Sequence, residues 1–212
     1  MADLLDYALT TVADVKESLG ITDSSQDNLI RRKINQATLY IESYCSLPED
    51  HHFKQTTYTQ EEYDGTRSNT IVLKMRPVIT LFSLQRRDGY DNSDSWDDVE
   101  SESYFIDKAS GVVELNFDTS RGWNSYRATY TAGYSTIPFD LAEACASLAS
   151  FYVSNSSNSS GAAVKKKQEG QRSIEYFDPS SGSSSNGSSV IEQLGLDDVL
   201  TRYKRMSLAD SL

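Results

Sequence analysis

The hydrophobic periodicity of this chain changes twice, and these changes constrain the fold more than any single motif. Residues 25–46 carry one apolar stripe with steps of three and four, as one face of an α-helix requires. From about residue 53 to residue 131 the apolar residues alternate at a period of two, which is typical of strands. The helical period returns at Pro138. The first stripe consists of Ile30, Ile34, Ala37, Ile41 and Tyr44.

These changes predict an α+β fold in which a small helical bundle carries an inserted antiparallel β region. Thr11 and Asp14 resemble a capping box, and Gly20 suits the end of the first helix. Ser24 or Ser25 can cap the second helix. We predict helices at about residues 11–19, 25–46, 138–153 and 195–206, a β region at 53–131, a hairpin turn at 107–111, and an edge or corner at Pro77.

The junction "YTAGYSTIPFDLAEACASLASFYV", residues 130–153, joins the last predicted strand to the third helix. Gly133 is expected at a positive φ, and Pro138 suits the first turn of a helix. Gly133-Tyr134-Ser135 also forms the front half of the nucleophile elbow G-x-S-x-G, but Ile137 occupies the place of the last glycine. We therefore interpret Gly133 and Pro138 as structural turn residues.

The remaining candidates for chemistry are isolated. Cys45 and Cys145 lie on apolar helical faces, which predicts buried free thiols rather than a disulfide framework. His51 and His52 are expected in a surface loop, and no partner cluster completes a metal site. The acidic run that starts at Asp88 lacks the ligand spacing and glycine of an EF-hand. Acidic residues are too numerous to single out a glycosidase pair, so that option stays open. The sequence favours a protein that is not an enzyme and has no metal or cofactor.

The net charge of −11 disfavours tight binding to DNA. Basic and acidic residues balance after residue 160, so the whole excess lies before it, and residues 88–102 contain no basic side chain. Because affinity for DNA comes mainly from Lys and Arg at phosphates, a simple DNA-binding protein is disfavoured. A run of about 18 apolar residues and a basic signal-peptide start are both missing from this sequence, so we expect a soluble cytoplasmic chain without a membrane partner.

The C-terminal third divides into two further segments. We predict a core at residues 1–160, a flexible Ser/Gly-rich linker or loop at 161–189, and a C-terminal docking arm at 190–212. Short isolated helices are marginal, so the arm should dock on another surface, and another subunit is one option. The basic run Lys165-Lys166-Lys167 is either a solvated loop or a contact for nucleic acid or an acidic partner.

Four passages in a fixed order resemble the head–tail connector proteins of tailed bacteriophages, also called head-completion or neck adaptor proteins. Residues 9–45 are similar to their opening pair of helices. Residues 63–89, with "DGTRSNTIVLKMRPV", are similar to their first β segment. Residues 104–116, "YFIDKASGVVELN", are similar to their hairpin. Residues 130–153 are similar to their strand–AGY–xxIP–helix signature.

This resemblance implies a structural role in the virion. Such proteins form a ring, typically dodecameric, beneath the portal protein, extend the DNA channel and offer a platform for the next neck or tail protein. The implied partners are the portal, further copies of the chain, a tail or neck completion protein, and double-stranded DNA that passes without sequence-specific binding. The implied location is the neck at the portal vertex of a virion assembled in the host cytoplasm.

The resemblance maps a portal-docking surface onto the C-terminal arm. Its hypothetical members are Leu194, Leu196, Val199, Leu200, Tyr203, Lys204 and Arg205. A DNA conduit benefits from walls that repel the duplex, because each neutralised phosphate adds affinity. The hypothetical channel-facing or DNA-facing residues are Asp91, Asp94, Asp97, Asp98, Lys165, Lys166 and Lys167.

An alternative from another class is a carbohydrate- or receptor-binding virion module. It would use aromatic side chains of the β region, with Trp96 and Trp123 as its most prominent candidates. The thirteen tyrosines of the chain suit interfaces, yet they equally suit half-exposed strands. A hydrolase, the third class, would need a triad that this sequence does not display.

Overall fold

The chain forms two compact units in the computed structural model. The helical unit combines Met1–Cys45 with Phe139–Leu212, and the β unit is Ser46–Pro138. The β unit is therefore inserted into the sequence of the helical unit, as the two changes of periodicity predict. The structure describes residues 3–87, 95–119, 122–157, 166–169, 172–175 and 190–204.

The helical unit is built from helices whose ends follow local sequence signals. Its described helices are α1 (Val12–Leu19), α2 (Asp27–Tyr44), α3 (Phe139–Ser157), α4 (Val190–Gln193) and α5 (Asp197–Thr201). The Thr11 hydroxyl accepts the Asp14 N–H, while the Asp14 carboxylate accepts the Thr11 N–H at 3.0 Å, so the capping box is confirmed. Gly20 ends α1 at φ 67°, as predicted.

The predicted cap of α2 is wrong. The helix begins at Asp27 after Gln26, and no side chain caps it. Ser25 instead directs its N–H and hydroxyl to the carboxylate of Asp23, in a local turn that precedes the helix. A serine can form hydrogen bonds with nearby residues outside the helix, so its presence before a helix does not determine the residue at which the helix begins.

The core of the helical unit is formed by the apolar stripes of α2 and α3, which pack on each other. The predicted α2 stripe is completely buried from Ile30 to Ile41, and Tyr44 at its end is half-buried. Leu141, Cys145 and Leu148 form the buried stripe of α3. Repeated steps of three and four thus place the same side chains inside that the sequence predicts.

The β unit contains two antiparallel sheets. Its strands are β1 (Thr56–Gly65), β2 (Thr70–Val72), β3 (Val78–Arg87), β4 (Trp96–Asp98), β5 (Tyr104–Asp107), β6 (Val112–Leu115) and β7 (Gly122–Ala132). The four-stranded sheet has the order β1-β7-β3-β4, and the three-stranded sheet has the order β2-β6-β5. The predicted hairpin is confirmed as β5–β6. Together with the helices, these sheets confirm the predicted α+β class.

Two strands lie inside residues 161–189, for which the sequence predicts a flexible linker or loop. The backbone of β8 (Lys166–Glu169) pairs antiparallel with that of β9 (Arg172–Glu175). These strands form their own two-stranded sheet, in the part of the chain assigned to the helical unit. The sequence there lacks the alternation of apolar and polar residues that indicates a strand.

Gly133 directly follows β7 and lies in the left-handed region, at φ 96°. Its N–H donates to the Pro77 carbonyl at 2.9 Å, and the N–H of Tyr134 donates to the Phe53 carbonyl at 2.7 Å. A Cβ at Gly133 would lie 2.8 Å from the Phe53 oxygen and 2.9 Å from the Lys54 oxygen. The backbone of the β unit therefore closes around this position, and the predicted positive φ is confirmed.

Candidate assembly surfaces

A buried polar cluster lies on the inner face of the four-stranded sheet. His51 Nε2 is 2.7 Å from Glu61 Oε1, and Lys74 Nζ is 3.4 Å from the same oxygen. The hydroxyls of Tyr63 and Tyr130 donate to Glu61 Oε2 at 2.5 and 2.6 Å. Burial alone would raise the pKa of Glu61, but the hydrogen bonds from His51, Tyr130 and Tyr63 outweigh it and lower the pKa to about 2. His51 is only 8% exposed, so its predicted place in a surface loop is wrong.

This cluster holds the β unit together rather than presenting a base to solvent. Burial raises the pKa of both tyrosine hydroxyls, Tyr63 and Tyr130, so they stay protonated and continue to donate at neutral pH. The same hydroxyls accept the backbone N–H groups of Lys74 and Met75, each at 3.2 Å. Residues 73–77 connect β2 to β3, so the cluster ties the connection between the two sheets to β1 and β7.

The other chemical candidates are placed as follows. Ser135 is exposed at the end of the turn after β7. Cys45 and Cys145 are free and fully buried, as predicted, and burial raises the pKa of each thiol to about 12. Among the described residues no cluster of three or more His, Cys, Asp or Glu side chains could hold a metal ion. None of the described helices is long and apolar enough to cross a membrane.

Large apolar side chains are exposed in both units. In the β unit Phe82, Phe105 and Trp123 are 62%, 70% and 87% exposed. In the helical unit Phe139 is 82% exposed at the start of α3, and Leu39 is 51% exposed on α2. Singly scattered, such residues are normal, whereas a contiguous exposed apolar patch is characteristic of a surface that a partner covers.

One exposed surface is the outer face of the three-stranded sheet. Cross-strand partners share a face, so Thr70, Glu114 and Phe105 form one row, and Val72, Val112 and Asp107 form the next. Ile71 and Val113 alternate with these rows and are buried on the other face. We call the row members Val72, Phe105, Asp107, Val112 and Glu114 the acidic–apolar face.

A second candidate surface is the outer face of the four-stranded sheet, where Arg87, Trp96 and Arg127 are half-buried. The guanidinium carbons of Arg87 and Arg127 lie over the Trp96 ring, 4.9 and 4.4 Å from its centroid. Gln85 accepts a hydrogen bond from Arg127 Nε at 2.5 Å and donates to Asp98 at 2.7 Å. We call Arg87, Trp96 and Arg127 the arginine–tryptophan cluster. The sequence gives no signal for it, because its members come from three separate strands.

The C-terminal segment packs on its own helical unit. Leu200 and Ile191 are fully buried, and the Leu200 carbonyl lies 3.7 Å from the Cys45 thiol. The Tyr44 hydroxyl donates to Asp197. The residue pattern alone left open which surface this segment docks on, and the resemblance assigned the segment to the portal; its described residues pack on the chain's own helical unit.

Polar contacts continue this packing at the edge of the segment. The Tyr203 hydroxyl donates to Asp140 at 2.5 Å, and Arg202 lies 3.5 Å from the same carboxylate. The ammonium group of Lys204 lies 4.1 Å from the centroid of the Tyr44 ring. Asp140 stands in the first turn of α3, so the segment is attached at the end of α2 and at the start of α3.

The structure therefore distributes the hypothetical site residues over several environments. Of the portal-docking set, Leu200 is buried, whereas Leu194, Leu196, Val199, Tyr203 and Lys204 are half-buried. Arg205 lies outside the described residues. Of the channel-facing set, Asp97 and Asp98 are exposed on β4, and the backbone of Lys166 and Lys167 belongs to β8. Asp91, Asp94 and Lys165 lie outside the described residues.

Comparisons with known proteins identify the family. No curated protein matches the sequence. The fold is similar to a chain from the neck of an empty GTA particle computed with C6 symmetry, at a TM-score of 0.53 and 14% identity, covering 98% of this chain and 95% of that chain. It is also similar to a chain from the neck of a native GTA particle computed with C12 symmetry, at a TM-score of 0.51 and 15% identity, covering 98% and 94%. A third similar chain belongs to the virion of a native gene transfer agent particle, at a TM-score of 0.50 and 13% identity, covering 98% and 95%. The family model described as head completion protein matches residues 8–170, and the chain therefore belongs to the head completion protein family.

Proposed function

We propose that this protein is a structural, non-enzymatic component of the virion neck that forms a ring between the portal and the tail. The main support for this proposal is the match to the head completion protein family over residues 8–170. The similarity in fold to chains from particle necks computed with C6 and C12 symmetry supports a ring, with twelve copies as the expected number. The ring extends the DNA channel and is assembled in the host cytoplasm.

The absence of an enzymatic role is supported by the state of the candidate groups. Glu61 is enclosed by donors, and the pKa values of Cys45 and Cys145 keep their thiols protonated at neutral pH. A nucleophile or base must be able to reach its substrate in the correct protonation state. Neither the buried carboxylate nor the buried thiols meet that condition.

The portal contact is proposed for residues 190–212, following a core at 1–160 and a connecting segment at 161–189. Partly exposed members of this arm, including Leu196, Val199 and Tyr203, offer apolar area, and Lys204 offers positive charge. Leu200 is buried, so it does not face the portal; its packing attaches the arm to α2 and α3. In the described part of the arm, residues 190–204, the proposed contact surface is one that packs on its own helical unit.

The channel wall is proposed to include Asp97, which is exposed on β4. Asp98, the next residue, is also exposed but lies on the opposite face of the strand, beside Gln85. Asp91 and Asp94 precede them in the acidic run, while Lys165, Lys166 and Lys167 supply the neighbouring basic run. Repulsion between carboxylates and phosphates would keep the duplex away from the wall and allow it to pass without sequence-specific binding.

Substitution in the arm tests the portal contact directly. Val199→Ser combined with Lys204→Glu changes the partly exposed side of the arm while Leu200 and Ile191 remain in place. We expect the variant to fold but to lose co-purification with the portal protein of the same particle. Glu17→Arg on the exposed side of α1 is the control, and it should co-purify normally. Undiminished binding by the arm variant would exclude this contact.

A second candidate function is glycan or receptor binding by the virion, which Trp123 favours because it is 87% exposed. Trp96, the other tryptophan, is already covered by Arg87 and Arg127. Binding of the protein to an array of bacterial surface glycans, lost in Trp123→Ser, would support this role. Absence of binding would leave the neck role alone.

A further inference from the structure

We propose that neighbouring copies in the ring join through two different faces of the β unit: the acidic–apolar face of one copy contacts the arginine–tryptophan cluster of the next. This inference rests on the proposed ring and names the surfaces that build it. On each of the two faces, the bound partner is another copy of the same chain.

The two faces are distinct surfaces of the same β unit. Ile71 and Val113 of the three-stranded sheet are buried, as are Leu84 and Ala128 of the four-stranded sheet. The buried cluster around Glu61 connects the inner side of the larger sheet to the segment between β2 and β3. The two outer faces therefore point away from this shared interior. A heterologous interface needs two such distinct faces on each copy, since identical faces produce dimers instead.

The acidic–apolar face is a surface that lacks a described partner for its apolar residues. Phe105 is 70% exposed and Val72 is 38% exposed. Glu114 receives a hydrogen bond from Asn69 at 3.3 Å, and neither Glu114 nor Asp107 forms an ion pair with a described cation. β5, which carries Phe105, is an edge strand of its sheet. An exposed apolar edge strand is a site where another chain commonly adds contacts.

The arginine–tryptophan cluster has the complementary chemistry. Arg87 and Arg127 are held over the Trp96 ring, so their guanidinium groups are positioned before a partner arrives. Among the described carboxylates, Glu62 and Asp98 share this face, yet neither forms an ion pair with these arginines. Guanidinium groups bind carboxylates through paired hydrogen bonds, and their planar faces stack on aromatic rings. Glu114 and Phe105 of a neighbouring copy supply one group of each kind.

Charge reversal tests this pairing. Glu114→Arg and Arg127→Glu are compared with the wild-type chain for ring formation on the portal protein, using electron microscopy and native mass spectrometry to count copies. We expect each single variant to bind its neighbours at least about tenfold more weakly and to form incomplete rings. The double variant should restore the ring, because the two charges exchange places. Glu17→Arg, with the same change of charge on α1, should form normal rings.

Cross-linking provides a second measurement that does not depend on charge. Glu114→Cys and Arg87→Cys chains are mixed on the portal and treated with a short bis-maleimide. Cys45 and Cys145 are buried, so they should contribute little background. Linked dimers are expected from the mixture and not from either variant alone.

The outcomes separate this inference from the proposed function. Complete rings in both single charge variants, or a double variant that stays defective, would overturn the pairing while the ring itself survives. Cross-links within one variant alone would also overturn it, because they indicate identical faces in contact. A wild-type chain that forms no ring on the portal would refute the proposed function and this inference together.

Discussion

Replacing Gly133 by alanine should destabilise the β unit by far more than the same change at another left-handed glycine. Gly133 has φ 96°, and a Cβ there would stand 2.8 Å from the Phe53 oxygen and 2.9 Å from the Lys54 oxygen. The positive φ costs about 1–2 kcal/mol for an alanine. Overlap with two backbone oxygens adds about 1–3 kcal/mol, because the segment before β1 that contains Phe53 must shift and the hydrogen bond from the Tyr134 N–H to the Phe53 carbonyl weakens. We therefore expect a loss of about 2–5 kcal/mol, a large share of typical domain stability.

Gly111→Ala is the matched control in the same unit. Gly111 also has a positive φ, 73°, but its nearest neighbour to a Cβ is 3.5 Å away, which is ordinary contact. Only the cost of the positive φ, about 1–2 kcal/mol, should appear. The assay is urea unfolding followed by fluorescence of Trp96 and Trp123, both in the β unit. Equal free energies of unfolding for the two variants would refute the close approach at Gly133.

Three further results are expected. Acid should destabilise the β unit as pH falls from about 4.5 to about 2, because the carboxyl of Glu61 has an ordinary pKa of 4.5 and a folded pKa of about 2. The lowered pKa contributes at most about 3 kcal/mol to the free energy of unfolding, and this contribution is fully present above pH 4.5. Urea unfolding at a series of pH values should record that loss. Glu61→Gln should be less stable at neutral pH and should lose this part of the pH dependence. If the stability of this variant fell in acid as steeply as that of the wild type, Glu61 would not be the group responsible. Leu200→Ala should lower the free energy of unfolding by about 2–5 kcal/mol or release the C-terminal segment from the helical unit. A protease should then cleave this segment faster in the variant than in the wild type, and equal rates would contradict its packing on α2 and α3. Finally, the thiols of Cys45 and Cys145, whose pKa values are raised to about 12, should react with a disulfide reagent at pH 8 only after unfolding, and rapid labelling of the native chain would show that they are accessible.

The sequence predicts those parts of the fold that local patterns determine. The stripe from Ile30 to Ile41 follows the helical repeat, so its buried side was predictable from spacing alone. The hairpin turn before Gly111 and the positive φ of Gly133 follow from the conformations that glycine permits. Each of these features depends on neighbours within a few residues.

The buried cluster around Glu61 could not be predicted in this way. Strict alternation from Tyr58 would place Gln60 and Glu62 on the inner face of β1. A register shift between Tyr58 and Glu61, with Gln60 at φ 54°, instead turns Glu61 inward. A bulge of this kind reverses the alternation, and the sequence alone gives no sign of where it occurs.

The candidate surfaces were predictable only in part. The apolar face of the C-terminal segment indicated that it docks on something, but its contact with Cys45 joins residues 155 positions apart. Trp96 meets Arg87 and Arg127 through the pairing of three strands. Contacts between distant residues depend on sheet order and register, which single-sequence patterns do not encode.

Electron microscopy of the full chain mixed with the portal protein of its particle tests the central claim most directly. The proposed neck role predicts an added symmetric ring on the portal, with twelve copies arranged around an open axial channel. A portal that stays bare at saturating concentrations of the folded chain, or copies bound without rotational symmetry, would contradict it.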